Sequence, residues 1–310
     1  MKVAILILNY DGAELLQKYL PSFQKAARSS QHDCRVAVID NASHDSSLEL
    51  LRKQFPDVGV YALQNNRVLC AYNEIAAGID DDIVIFMNND IRAEEGFVDP
   101  LVEPFVKASD IFFVTSKVLG SSGRYEGNKT RAFMRFGIFG STALYPGYQE
   151  DMDRPGLTFQ GGFGAFDRLK FLELGGYDDL YLPGRLEDAD VTFRAYKRGW
   201  KSLYAPQSVV HHEGGVSFHK AFGAKGTLRI NWRNTFLFMW KNLSDKLLIL
   251  QCAFWLPARL AWSLLSGKTE LFWGFCQALP LWKRAREKRK LLEAQGSLKT
   301  VSDLEIFRLT

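Results

Sequence analysis

The 310-residue chain has only four cysteines, Cys34, Cys70, Cys252 and Cys276, and no two lie close in sequence. That scatter excludes a Cys-based zinc motif and a disulfide-stapled scaffold, and it suits a reducing cytoplasm. No signal peptide is expected, because the apolar opening Met1–Asn9 is too short and Asp11 follows at once. A clean membrane span is lacking too. Leu247–Leu265 has the minimum length, 19 residues, but contains Gln251, Pro257 and Arg259. Nor is there a chain-wide charge bias. The net charge is +4, yet Pro280–Lys290 alone holds six Lys/Arg against one Glu, leaving the rest of the chain at −1. The basic character is therefore a local patch, and no nucleic-acid partner is expected.

What is present is a globular composition, 47% apolar and 24% charged, of a size for one large α/β domain with an extension. Val3–Tyr10 is a continuous apolar run ending in a polar residue, as a buried parallel strand should be. Arg35–Asn41, Val58–Leu63 and Asp82–Asp90 read as further strands. Between them, Ala13–Ala27, Ser43–Gln54 and Leu69–Ile79 read as helices. The alternation predicts a Rossmann-like, mostly parallel sheet. Ligands in such sheets sit beyond the C-terminal strand ends, where Asn9–Asp11, Asp40–Asn41 and Asn88–Asp90 fall.

Further on, Ile111–Val118 reads as a strand, Gly120–Tyr148 as loops, and Gln160–Phe166 as a Gly-rich strand or turn. Gly161-Gly162 there permits close approach of a ligand or marks a bulge. Arg168–Leu174 and Glu187–Arg198 read as helices, each stopped by glycine. Asp190 is spaced to pair with Arg194, and Trp200 reads as packing. From about Gly226 aromatic residues crowd together, and the basic patch follows. In-plane amphipathic helices at an anionic membrane surface fit this pattern better than a buried helical subdomain or a span. The expected division is residues 1–225 as a catalytic domain and 226–310 as a helical, membrane-interface extension.

Five segments, in order, carry a resemblance. ILNYDG opens the chain; VIDNASHDSS (Val38–Ser47) is similar to V-D-N-A-S-x-D-G-S; FMNND resembles a D-x-D region. Gly175–Ser217 matches G-G-F-D-E-x-F, E-D-x-D-x-x-x-R, G-W and H-x-G-G-x-S in succession, and RINWRNTF resembles an R-N segment. The chain resembles a family 2 glycosyltransferase of the GT-A (nucleotide-diphospho-sugar transferase) fold, in the bacterial rhamnosyltransferase-like branch, over roughly Lys2–Asn242.

The resemblance implies an inverting, metal-dependent transfer from a nucleotide-sugar, such as dTDP-rhamnose or a UDP-sugar. The acceptor would be a glycan, polyprenyl-linked or lipopolysaccharide precursor in cell-surface polysaccharide synthesis. The enzyme would sit peripherally on the cytoplasmic face of the plasma membrane. Asp188 would be the base beside Glu187. Asp90 and His212 would hold Mg²⁺ or Mn²⁺, with His211 as the alternative to His212. Asn9, Asp11, Asp40, Asn66, Arg67, Asn73 and Asn89 would hold the donor, Asp40 at its base. Plainer roles compete: Asp40 and Asn41 as caps, Glu187-Asp188 as first-turn acids, the two histidines as a polar strand end. Two positions depart from the pattern. Val68 stands where N-L-G-F has glycine, and Asn88 replaces the first Asp of D-x-D. These departures favour one rival, a non-catalytic nucleotide- or glycan-binding relative. A sugar nucleotidyltransferase would need a glycine-rich loop, and Asn9–Gly12 supplies one glycine.

Overall fold

The structure is a computed structural model that describes residues 1–212, 217–294 and 301–309. The first half alternates as expected. Strand β1 (Lys2–Asn9) leads to helix α1 (Ala13–Ser29), β2 (Asp33–Asp40), α2 (Ser47–Gln54), β3 (Gly59–Ala62), α3 (Ala71–Ala77) and β4 (Ile83–Asn88). The strands β1–β4 run parallel, and β1 pairs with both β2 and β4. β1 is apolar from Val3 to Leu8 because both its faces are covered. Val3, Ile5 and Ile7 pack with Leu16, Leu20 and Phe23 of α1, whereas Ala4 and Leu6 pack with Tyr72 and Ile75 of α3. Register then fixes the site. Asn9 lies beside Asp40, and Leu8 beside Asn88, so the polar strand ends share one edge.

The middle of the chain completes the sheet. It contains β5 (Ile91–Ala93), α4 (Val98–Lys107), β6 (Ile111–Gly120), β7 (Tyr125–Gly127), the hairpin β8 (Arg131–Arg135) and β9 (Ile138–Thr142), then α5 (Tyr148–Asp151) and β10 (Gly156–Leu157). After these come β11 (Gly164–Asp167), α6 (Arg168–Glu173), α7 (Glu187–Lys197) and β12 (Lys201–His212). The sheet order is β10-β12-β6-β11-β4-β1-β2-β3. Strand β11 is antiparallel to both neighbours, and β12 runs parallel to β6.

The segment Gly120–Tyr148 contains loops as expected, but it also forms β7 and the β8–β9 hairpin, whose turn places Phe136 (φ 48°) and Gly137 (φ 70°) in the left-handed region. Two successive positive φ values give the turn whose twist suits a two-residue hairpin. The two histidines do close a strand, the twelve-residue β12. Trp200 does pack, stacked on Phe112.

The C-terminal helices are α8 (Ser217–Asn242), α9 (Lys246–Leu265), α10 (Glu270–Ala278), α11 (Trp282–Ala294) and α12 (Asp303–Leu309). Helix α8 is kinked at Gly223 (φ 64°). The division at 225/226 falls inside α8 and separates no core. Phe139, Phe159 and Phe193 bury against Phe236, Phe238, Ala278, Ala285 and Ile306 in one cluster. Helices α10 and α11 thus share a core with residues from the first part of the chain, whereas α9 buries only Leu248 and Ser263. The basic patch divides likewise. Arg284 and Lys288 pair with Asp179, while Lys283, Arg286 and Lys290 stay exposed.

Candidate active site

A cavity of about 1100 Å³ opens at the C-terminal strand ends, lined by Asn66, Asn89, Asp90, Glu187, Asp188 and His212 among others. Strand pairing assembles its first cluster. His212 of β12 lies opposite Ile91 of β5, one residue after Asp90. The imidazole Nε2 comes 3.4 Å from an Asp90 carboxylate oxygen, and Nδ1 lies 2.9 Å from Glu126 of β7. Hydrogen bonding to Asp90, then to Glu126, pushes the His212 pKa up to about 9 against the effect of burial. His211 turns elsewhere, to Glu94 at 2.9 Å.

The second cluster opens α7. Glu187 and Asp188 each show part of their surface to the cavity but are otherwise enclosed by protein. Loss of water pushes Glu187 up to about 8, with repulsion from Asp188 adding to it. Asp188 rises to about 6 for the same first reason, opposed by the Ala189 N–H that donates to its carboxylate at 2.8 Å. Glu187 Oε2 is buried with no hydrogen-bond partner among the described residues. A buried polar atom of this kind is costly to leave unpaired and is placed to hydrogen-bond a bound hydroxyl.

The family model for "Glycosyl transferase family 2" matches residues 4–173, more than half of the chain. The chain belongs to glycosyltransferase family 2. An N-acetylglucosaminyl-diphospho-decaprenol L-rhamnosyltransferase of Mycobacterium tuberculosis is 25% identical over 94% of this chain and 98% of its own length. Among solved structures, TarS of S. aureus aligns at TM-score 0.55 and 14% identity, over 96% of this chain and 92% of that one. GalNAc-T7 with UDP, GalNAc and Mn²⁺ aligns at 0.59 and 18% identity, over 79% of this chain. The aligned part spans 48% of the GalNAc-T7 chain. These likenesses establish the GT-A fold.

In this glycosyltransferase the expected donor residues fall into three places. Asn66 and Asn89 reach the cavity wall. Asn9, Asp11 and Asp40 lie outside the lining. Asn9 is a buried hub whose amide donates toward Asp40, Ser43 and Ser47 and whose oxygen accepts from Asn89 at 2.7 Å. Asp40 also accepts from the Ser43 backbone, and Asp11 from that of His44, so all three brace the strand-end turns. At this wall stand Tyr10 and Asn41 instead. Arg67 and Asn73 border a separate cavity; Arg67 pairs with Glu74, and Asn73 bonds both the N–H and the C=O of Tyr177.

The two departures from the family pattern both line the cavity. Val68 adopts φ 51° while its N–H donates to Asn66. Glycine adopts this conformation freely; a β-branched residue holds it under strain of about 1–3 kcal/mol. The backbone shape expected of glycine is thus retained with valine in it. At Gly161, a Cβ would collide with Thr115 Oγ1 at 2.6 Å, a packing requirement, whereas Gly162 faces the cavity with open space around it.

Sequence reading missed Glu126 and the role of Asn234. The loop before α7 carries Arg185 (φ 78°) and Leu186 (φ 68°), two consecutive left-handed residues that are not glycine. Each costs about 1–2 kcal/mol. The buried Asn234 amide of α8 holds them, lying 2.7–2.8 Å from the carbonyls of Tyr181, Gly184 and Arg185. Only the R-N match hinted at it. Asn234→Ala is expected to lower kcat at least about tenfold with little change in donor KM. It should also cost about 1–3 kcal/mol of stability from orphaned carbonyls. Transfer kinetics with urea unfolding check both; an unchanged kcat in a destabilised protein makes the residue purely structural.

Proposed function

We propose that the protein is an inverting, metal-dependent transferase that moves a sugar from a nucleotide-diphosphate donor onto a lipid-linked glycan. The observation that carries this reading is one cavity holding Asp90 with His212 and Glu187 with Asp188. Asp188 takes the proton of the acceptor hydroxyl. The hydroxyl oxygen bonds to the anomeric carbon as the bond to the diphosphate oxygen breaks and the nucleoside diphosphate leaves with that electron pair. Attack opposite the leaving group inverts the centre. Glu187, protonated at neutral pH, is placed to hydrogen-bond substrate.

A carboxylate and an imidazole are donors that suit Mg²⁺ or Mn²⁺, and Asp90 and His212 are the residues to hold it. Such an ion would supply neutralisation of charge on the departing diphosphate. GalNAc-T7 and the mannosyltransferase PcManGT of Pyrobaculum calidifontis, both structurally similar, are solved with Mn²⁺, which supports the assignment. The mycobacterial relative's diphospho-decaprenol acceptor supports a lipid-linked one here, and its rhamnose makes dTDP-rhamnose the first donor to try. A nucleotide-sugar panel is expected to show metal-dependent nucleoside diphosphate release from one donor. NMR of the transfer product is expected to show the anomeric configuration opposite to the donor's. Retention, or no turnover with any donor and acceptor, overturns the reading.

The membrane contact falls to α9. This is the one helix, among the described residues, long and apolar enough to cross a bilayer, with mean hydropathy 1.4 and 11% burial. It nevertheless lies against the catalytic body. Arg259 donates to the carbonyls of Arg135 and Phe136, and a Cβ at Gly137 would meet Gln251 O at 2.6 Å. That docking favours an in-plane helix over a spanning one. Phe254 (76% exposed), Trp262 (71%) and Leu265 (84%) are free to enter lipid. Deleting residues 246–290 would also remove Ala278 and Ala285 from the core, so point changes are the cleaner test. Phe254→Ser with Trp262→Ser is expected to weaken binding to anionic vesicles at least about tenfold, from about 1.5–3 kcal/mol per buried side chain, with Tm unchanged. Vesicle co-sedimentation measures it.

A further inference from the structure

Helix α9 contains, besides Lys246 at its start, a single charged residue, Arg259. Its guanidinium spends two of five N–H donors on the hairpin turn: Nε to Phe136 O at 3.1 Å and Nη2 to Arg135 O at 2.7 Å. Arg135, at the end of β8, holds a second guanidinium over the same Phe136 ring, and burial first, then this like charge, lowers the Arg259 pKa. No carboxylate among the described residues pairs with either, and both line the active-site cavity. Two like charges held together beside a cavity, with donors unspent, form a site for a multiply charged anion.

The surroundings restrict which anion. Phe133 lines the cavity next to Arg135 and is exposed, and Phe136 lies exposed at the turn. The Phe136 ring sits under both guanidiniums, with centroids 5.5 Å from Arg135 and 5.8 Å from Arg259. It meets the Trp255 ring edge-on at 5.1 Å, and Trp255 meets Phe254, the most exposed aromatic of α9. An aromatic path thus runs from the arginine pair onto the apolar face of the helix. A free phosphate would gain nothing from that path, and a plain alcohol nothing from the arginines.

We propose that Arg135 and Arg259 bind the diphosphate of a lipid-linked acceptor, whose hydrocarbon chain leaves along Phe136, Trp255 and Phe254. The assignment rests on reading the cavity as a sugar-transfer site, and it names what the acceptor end of that site recognises. The guanidiniums would neutralise the diphosphate, and the ring path would draw the chain toward the membrane while the glycan enters the cavity toward Asp188. The hairpin turn, gripped by Arg259, sets the spacing.

The test is a binding titration with farnesyl diphosphate at saturating nucleoside diphosphate, so that the donor's own diphosphate position is filled. Trp fluorescence reports the contact. Wild type is expected to bind farnesyl diphosphate at least tenfold more tightly than farnesol or inorganic diphosphate. Arg135→Gln, which breaks no side-chain hydrogen bond among the described residues, is expected to lose about tenfold of that affinity, and Arg259→Gln more, with farnesol affinity unmoved. Arg259→Lys, keeping the charge without the fork, should fall between. Equal binding of farnesol and farnesyl diphosphate overturns the proposal, as does an unchanged Kd in Arg135→Gln. So does loss of anionic-vesicle binding alone, which would assign the pair to bulk phospholipid. Failure of the wild type to bind or turn over any nucleotide-sugar would instead sink the transferase reading itself.

Discussion

Asp188→Asn is expected to reduce transfer by about 10²–10⁴-fold while leaving nucleotide-sugar affinity within about twofold. The amide keeps the shape and cannot take a proton. The wild-type rate should rise with pH as Asp188, at about 6, loses its proton, and level off above neutrality while Glu187, at about 8, keeps its own. The substitution should erase the rising limb. Linkage gives an independent sign. Both carboxyls have folded pKa values above their ordinary 3.8 and 4.5, so the native state binds more protons than the unfolded one. Their contribution to stability is full below about pH 4 and drains away as pH rises through 6 and then 8. Asp188→Asn should therefore raise Tm at pH 8 relative to wild type, and do so less at pH 5. Stopped transfer assays and thermal scans across pH settle both; a variant that transfers normally removes Asp188 as the base.

Asp90→Ala is expected to abolish the metal stimulation of turnover, with a loss of about 10²-fold or more at saturating Mn²⁺. The diagnostic is calorimetry rather than rate alone. In wild type, Mn²⁺ should tighten nucleoside diphosphate binding. In Asp90→Ala it should not, and the two proteins should bind equally in chelator. Metal-dependent tightening that survives the substitution would move the ion away from β4. His212→Ala should show the same pattern more weakly, because one carboxylate remains, and His211→Ala should show none, since that ring is engaged with Glu94.

The parallel half of the sheet was legible because its strands are buried on both faces, which leaves long apolar words ending in Asn or Asp. That logic put Asn89 and Asp90 at strand ends, and both line the cavity. It could not say which strand-end polar groups face outward. Asn9 and Asp40 carry the same chemistry as Asn89, yet they bond to each other and to Ser43 and Ser47 beneath the wall. The hairpin escaped notice because Phe136, not glycine, takes the first left-handed position of its turn, hiding the usual signal. In α4 the prolines Pro100 and Pro104 mask a helix that an apolar face nonetheless builds. Glu126 reaches His212 through the pairing of β7 with β6, a relation no local pattern encodes. Asp190 did pair with Arg194 as spacing suggested, but its second cation, Lys241, lies 51 residues on.

That last contact bears on when the enzyme becomes an enzyme. Asp190, in the same first turn as the proposed base Asp188, is buried against Lys241 and Asn242, and Lys241 also holds Asp178. Lys197, at the far end of the same helix, is buried against Asp303. Until α8 and the final helix are present, these charges have no interior to enter and no counter-ion within it. Helix α7 is therefore held in place by residues that come well after the parallel strands in sequence. The cavity and the carboxylates at the start of α7 are completed together, since α8 and α9 also supply Asn231, Trp232, Thr235 and Arg259 to the cavity lining.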